Sequence, residues 1–65
     1  MPVITIEMWE GRDKEKRRKL IQEVSKAAAK SLEIGIEHVQ VIIHEINKDN
    51  WGLNGDQASK VKMDH

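Results

Sequence analysis

Apolar and polar residues follow three rhythms along this chain. From residue 2 to 9 the period is two. Pro2, Ile4, Ile6 and Met8 fall on one side, and Val3, Thr5, Glu7 and Trp9 on the other. One side is wholly apolar and the other mixed, which predicts a strand at least half buried. Glu10-Gly11-Arg12 ends it, with Gly11 supplying turn freedom. From Lys14 to Leu32 the period lengthens. Leu20, Ile21, Val24, Ala27, Ala28 and Leu32 recur at helical spacing, while Lys14, Arg18, Gln22, Lys26 and Lys30 fall largely outside that stripe. Asp13 is the predicted N-cap, because its carboxylate can accept from the amides of the first turn. Glu15 in that turn suits the helix dipole. Such a helix would be about 28 Å long, and its alanine-rich face is flat enough to lie close on a sheet. Gly35 is the predicted helix stop, since glycine readily takes the left-handed conformation that closes helices. Val39 to Ile46 then reads as a second strand. Its start, Val39-Gln40-Val41-Ile42-Ile43, is nearly continuous in apolar residues, as for a strand covered on both faces. A polar loop, Asn47-Lys48-Asp49-Asn50, leads to Trp51 and Leu53. Asn54-Gly55 behind them is a tight-turn signal and predicts a short hairpin, too small to be stable alone. The remainder to His65 is polar apart from Ala58, Val61 and Met63. No internal repeat or linker interrupts this order.

Strand, long helix and strand make a single α/β unit of βαβ type, with parallel strands joined by a right-handed crossover and a short C-terminal hairpin. Residues 1–65 read as one domain. A chain of 65 residues buries only about 60% of the surface its unfolded form exposes. It has no cysteine, so neither a disulfide nor a thiolate metal site can compensate. One helix also covers only one sheet face. The other face, with Val3, Thr5 and Trp9, stays open, and both strand edges stay bare, which invites pairing. Copies that join edges and pack their open faces into a closed ring solve both problems. The unit is therefore expected to work as an oligomer larger than a dimer.

Charge narrows the partners. Eleven lysines and arginines balance eleven aspartates and glutamates, so no whole-molecule field draws nucleic acid. The basic run Lys16-Arg17-Arg18-Lys19 reads as a solvated helix face. Two tryptophans as the sole aromatics are poor material for a base-stacking platform. No apolar run approaches the ~20 residues of a membrane span, and the N-terminus lacks the features of a signal peptide. The chain reads as soluble and cytoplasmic, with no nucleic acid and no membrane partner. His38 and His44, placed on one strand face, would lie about 20 Å apart, and His65 is terminal, so no metal site is expected. No P-loop, dinucleotide fingerprint or serine elbow is present.

The candidate chemistry lies at the N-terminus. A small residue such as proline after the initiator methionine normally allows that methionine to be clipped. Clipping Met1 would leave Pro2 with a free secondary amine at the start of a buried strand. Desolvation disfavours the cation and lowers the pKa of such an amine, and a general base works best with a pKa close to the working pH. While Met1 is attached, the Pro2 nitrogen is an amide and cannot act as a base. Proline is also simply tolerated at the first position of a strand, where no ladder donor is needed.

Several further features stand together. Glu10-Gly11-Arg12 follows the first strand, and a long amphipathic helix follows that. The second strand ends in His44-Glu45, and Trp51-Gly52-Leu53-Asn54-Gly55 precedes Ala58-Ser59-Lys60. With Pro2 behind Met1, this pattern resembles the 4-oxalocrotonate tautomerase family over nearly the whole chain. The resemblance implies a cofactor-independent tautomerase acting on 2-hydroxy-dienoic and 2-oxo acids. It also implies a homohexamer built as a trimer of dimers. Pro2 would be the general base. Arg12, from a neighbouring subunit, would bind the carboxylate of a small-molecule substrate, a task suited to a guanidinium fork. Trp51 would keep the pocket apolar. Gln40 stands where studied members carry a second arginine, and its neutral amide should stabilise developing negative charge less. Leu53, also in the substrate-binding set, replaces the glutamate with which related dehalogenases activate water, so that chemistry is not expected. The reading from another class is a non-catalytic oligomeric scaffold or small-ligand binder of the same fold.

Overall fold

A computed structural model describes residues 1–61 of the chain; Met63 and His65, named above, lie outside them. Strand β1 (Val3–Trp9) leads to helix α1 (Lys14–Leu32), strand β2 (Gln40–Ile46) and a hairpin of β3 (Gly52–Leu53) and β4 (Asp56–Gln57). β1 and β2 are parallel, with Val3 opposite Gln40 and Trp9 opposite Ile46. β3 and β4 are antiparallel around Asn54-Gly55, both at positive φ (56° and 81°), as an asparagine-glycine hairpin turn requires. The βαβ unit and hairpin are thus those expected from the sequence.

Helix α1 begins as its residues dictate. Asp13 is extended, and its Oδ1 accepts from the Lys16 amide at 2.8 Å, which satisfies one orphan donor of the first turn. The helix stop differs from expectation. Glu33, not Gly35, takes the left-handed conformation, at φ 56° and ψ 46°. The Ile34 amide closes back on the Ala29 carbonyl at 3.1 Å, the closing bond of a Schellman cap. Gly35 is extended at φ −68°, a conformation open to any residue. Ile34 is half-buried and Ala29 buried, and this backbone bond closes the helix two residues before the glycine.

The chain beyond the cap also differs. Ile36–His38 forms a short 3-10 turn, and β2 starts at Gln40 rather than Val39. His38 is therefore not on a strand with His44.

The faces of the sheet are unequal. Ile4, Ile6 and Met8 of β1, with Val41, Ile43 and Glu45 of β2, are half-buried on the helix side. Small buried residues of α1, Ser25 and Ala29, let the helix approach closely. Ala27, Ile21 and Leu32 of the predicted apolar stripe are exposed instead, because a two-stranded sheet is too narrow to cover the whole stripe. Arg17, read as part of a solvated basic run, is turned inward to an ion pair with Glu45, which pins the first helical turns to the end of β2. Lys16, Arg18 and Lys19 are exposed as expected.

The opposite face, carrying Val3 (54% exposed) and Ile42 (44% exposed), has no cover among the described residues. β2 is thus covered on one face only, not on both. Among the described residues no large side chain is fully buried. The chain exposes 5289 Å², where a compact monomer of its mass would expose about 4,200 Å². Its radius of gyration is 14.8 Å, against about 11 Å for a compact chain of this length. No helix among the described residues is long and apolar enough to cross a membrane.

The cap yields a test. Glu33→Gly should raise the unfolding free energy by about 1 kcal/mol, read as a higher urea midpoint at matched protein concentration. Gly35→Ala should leave the midpoint level or raise it, since only the flexible end of the Glu37 side chain stands where the new methyl would go.

Candidate active site

The sheet sorts the candidate residues to its two ends. At the start of β1, the Pro2 carbonyl accepts from the Gln40 amide at 3.0 Å, the first bond of the parallel ladder. The Gln40 side chain lies there too, and its Nε2 donates to Met1 Sδ at 3.1 Å. Pro2 is half-buried and Met1 is exposed. Pro2 and Gln40 are therefore neighbours because of strand register, not because of any long-range loop.

The other end is built by the turn after β1 and the loop after β2. Gly11 at φ 125° turns the chain sharply, so that Arg12 comes back beside the last residues of β1. The loop is tied by its own side chains. Asn47 Oδ1 accepts from the Asp49 amide at 2.8 Å, and Asn47 Nδ2 donates to Glu10 Oε1 at 2.9 Å. Gln57 Nε2 donates to the Asp49 carbonyl at 3.0 Å, and the Ala58 amide to the Trp51 carbonyl at 2.7 Å. These bonds hold Trp51 against Trp9. The two rings meet edge to face, with centroids 6.1 Å apart and planes at 83°, a favourable geometry for aromatic quadrupoles. The Lys48 ammonium lies 4.6 Å from the centre of the Trp9 ring, within range of a cation–π contact.

Trp9, Trp51 and Arg12 line one groove of about 400 Å³. Ile6, Glu7, Met8 and Leu20 complete its lining. Arg12 is exposed and has no ion-pair partner among the described residues, so its guanidinium is available to an anion. Glu7 Oε1 lies 2.8 Å from His44 Nδ1 on the open sheet face. The Trp9 indole nitrogen is shielded from solvent and has no acceptor among the described residues.

Of the sequence candidates, then, the chain brings Pro2 to Gln40 and Arg12 to Trp51. It does not bring the two pairs together. Trp9 lies seven residue steps along the strand from Pro2, about 23 Å. Leu53 is half-buried on β3, two residues beyond Trp51. Trp9 was absent from the candidate list, read only as part of the mixed face of β1. The signal that could have found it is composition: the only two aromatic residues are both tryptophans, and each follows or precedes a turn. Among the described residues no group of three histidine, cysteine or acidic side chains could hold a metal ion.

Known proteins share this arrangement of sequence and backbone. Residues 2–60 match the family described as tautomerase enzyme. The chain is 44% identical over 61 residues to a 2-hydroxymuconate tautomerase of Pseudomonas putida, covering 94% of this chain and 97% of that protein. Its backbone superposes on the crystal structure of an apo unfused 4-OT with a TM-score of 0.90 at 31% identity, over 94% of this chain and all of the other. A heterohexamer 4-oxalocrotonate tautomerase from Chloroflexus aurantiacus gives a TM-score of 0.89 at 29% identity, over 95% of this chain and all of the other.

The indole pair can be tested without any substrate. A double-mutant cycle of Trp9→Leu and Trp51→Leu, read by urea unfolding at matched protein concentration, should give a coupling of about 1 kcal/mol. Additive single effects would mean that the two rings act independently.

Proposed function

This chain belongs to the 4-oxalocrotonate tautomerase family and is a tautomerase, and from that premise we propose that Pro2, freed of Met1, is its general base. The substrates are small 2-hydroxy-dienoic acids and their 2-oxo tautomers, and no cofactor takes part. The neutral proline nitrogen takes the proton from the enol hydroxyl. As that O–H bond breaks, the C–O bond becomes a carbonyl, and the electrons of the diene shift to carbon. The proline cation then gives a proton to that carbon. The net change is one proton moved from oxygen to carbon.

The observation that carries this reading is the separation of the two halves. A base without an anion anchor lies at one end of β1, and an anion anchor without a base at the other. Among the described residues both β1 and β2 have a bare outer edge. Two copies that join their β1 edges antiparallel would bring Pro2 of each beside the Trp9–Arg12 end of its neighbour. Arg12 would then grip the substrate carboxylate from the adjacent subunit, with Trp51 excluding water and Leu53 adding apolar surface nearby. Three such dimers, packed through their open sheet faces, would give a homohexamer and cover Val3 and Ile42. A cytoplasmic setting suits a chain without cysteine.

Gln40 has two roles in this scheme. With Met1 present its amide donates to the Met1 sulfur. Removal of Met1 therefore frees both the Pro2 nitrogen and one amide donor beside it. That donor can meet the developing oxyanion, though it carries no charge. The neutral Gln40 also favours a second reading, a small-ligand binder that has kept the fold and lost the turnover.

Matched protein with and without Met1, assayed on one dienol by ultraviolet absorbance, separates the two. Turnover should require loss of Met1, and equal rates in the two forms would remove Pro2 from the reaction. Desolvation and the neighbouring Arg12 cation both lower the pKa of the free amine, so activity should rise with pH through one ionisation as the cation becomes the base. Pro2→Ala should lower turnover without abolishing it, because a primary amine remains. Arg12→Ala should raise KM by about tenfold or more while sedimentation shows the oligomer intact.

A further inference from the structure

Resting on the tautomerase reading, with Arg12 as the carboxylate anchor, we infer that Asn47 is a positioning residue for the reaction. It keeps the Arg12 guanidinium open to substrate by holding the Glu10 carboxylate away from it. Two carboxylates flank Arg12 in the chain, Glu10 and Asp13. A carboxylate folded onto the guanidinium would fill the anchor before substrate arrives, because such pairs are strong and often bidentate. Neither flanking carboxylate does so. Asp13 Oδ1 accepts from the Lys16 amide at 2.8 Å, as the cap of α1. Glu10 Oε1 accepts from Asn47 Nδ2 at 2.9 Å. Arg12 is left with no ion-pair partner among the described residues. The hold on Asp13 belongs to the helix itself, whereas the hold on Glu10 depends on one side chain of the loop after β2.

The residue type at position 47 matters. An asparagine side chain is planar, with an acceptor at one end and donors at the other. The Asn47 Oδ1 is committed to the Asp49 amide at 2.8 Å, as the N-cap of the 3-10 turn Lys48–Asn50. That bond fixes the orientation of the amide, so Nδ2 is the end that meets Glu10. An aspartate would cap the turn equally well but would set carboxylate against carboxylate. A serine also caps but is too short to reach Glu10. The backbone brings the partners together, because the Glu10 amide donates to the Ile46 carbonyl at 3.1 Å and carries the ladder one residue beyond β1. This contact joins the two strands of one chain, so it does not depend on what pairs with their outer edges. Glu10 and Asn47 are both exposed. Their bond competes with water, which makes its loss a matter of about fivefold in substrate affinity.

Steady-state kinetics of Met1-free protein on 2-hydroxypenta-2,4-dienoate, a simple 2-hydroxy-dienoic acid, test this. Asn47→Ser should raise KM about fivefold. Its kcat and the single ionisation of its pH profile should stay nearly level, because Pro2 is untouched. Glu10→Gln added to Asn47→Ser should bring KM back to within about twofold of the parent, because a neutral amide forms no ion pair with Arg12. Asn47→Asp serves if Asn47→Ser fails to assemble. It keeps the cap and expels Glu10, so KM should rise at least as far, and Glu10→Gln should again reverse the rise. An unchanged KM in the Asn47 variants would overturn the inference. So would a raised KM that Glu10→Gln fails to reverse, the mark of a loop that has merely loosened. Calorimetric titration of the same proteins with 2-oxopentanoate separates the inference from the reading beneath it. Binding weakened by Asn47→Ser and restored by Glu10→Gln upholds the role of Asn47 even where the parent turns nothing over. Turnover by the parent with a KM that Asn47→Ser leaves level sinks the inference alone. A parent that neither binds nor turns over sinks both.

Discussion

One helix cannot cover two faces of a sheet. Most of what is distinctive in this chain follows from that limit. The helix uses small residues, Ser25 and Ala29, to approach the strands closely, yet no large side chain among the described residues becomes fully buried. The Arg17–Glu45 ion pair orients the helix on the sheet but, being partly exposed, contributes little net stability. The apolar side chains of the open face, Val3 and Ile42 among them, stay exposed on the single chain, and the proposed assembly would cover them.

Much of this was legible in the sequence, for reasons that differ by element. Alternation along β1 and the helical stripe of α1 are strong periodic signals, and Asp13 and Asn54-Gly55 are residues with a single good local use. The failures occurred where a contact overrode a local preference. Gly35 is a better left-handed residue than Glu33, but the cap closes where the Ile34 amide meets the Ala29 carbonyl. The apolar run of β2 signalled cover on both faces, which one chain cannot supply. Arg17 looked like its basic neighbours because sequence does not reveal that Glu45 of β2 lies beneath it.

The site was partly legible for the same reasons. Pro2 was singled out from its own position as a candidate base, whereas Gln40, Arg12, Trp51 and Leu53 were candidates only through the family resemblance. Strand register places Pro2 beside Gln40, and the Gly11 turn returns Arg12 to the end of β1. Trp9 was hidden because its strand position suggested an open-face residue. Its contact with Trp51 depends on a loop tied by Asn47 and Gln57, and such bonds leave no periodic trace. The groove is thus a product of tertiary structure, whereas the Pro2–Gln40 pair is a product of the β ladder.

The distance of about 23 Å between the two ends of β1 has an evolutionary consequence. In the proposed arrangement base and anion anchor sit on separate stretches of one small chain, and a duplicated gene then has an easy route to specialisation. One copy can lose its proline and keep the arginine end, and the other can do the reverse. Each damaged copy is then rescued by its sister in a mixed assembly. Mutations that would silence a self-contained enzyme become, in such a pair, a division of labour, and selection thereafter maintains the partnership itself.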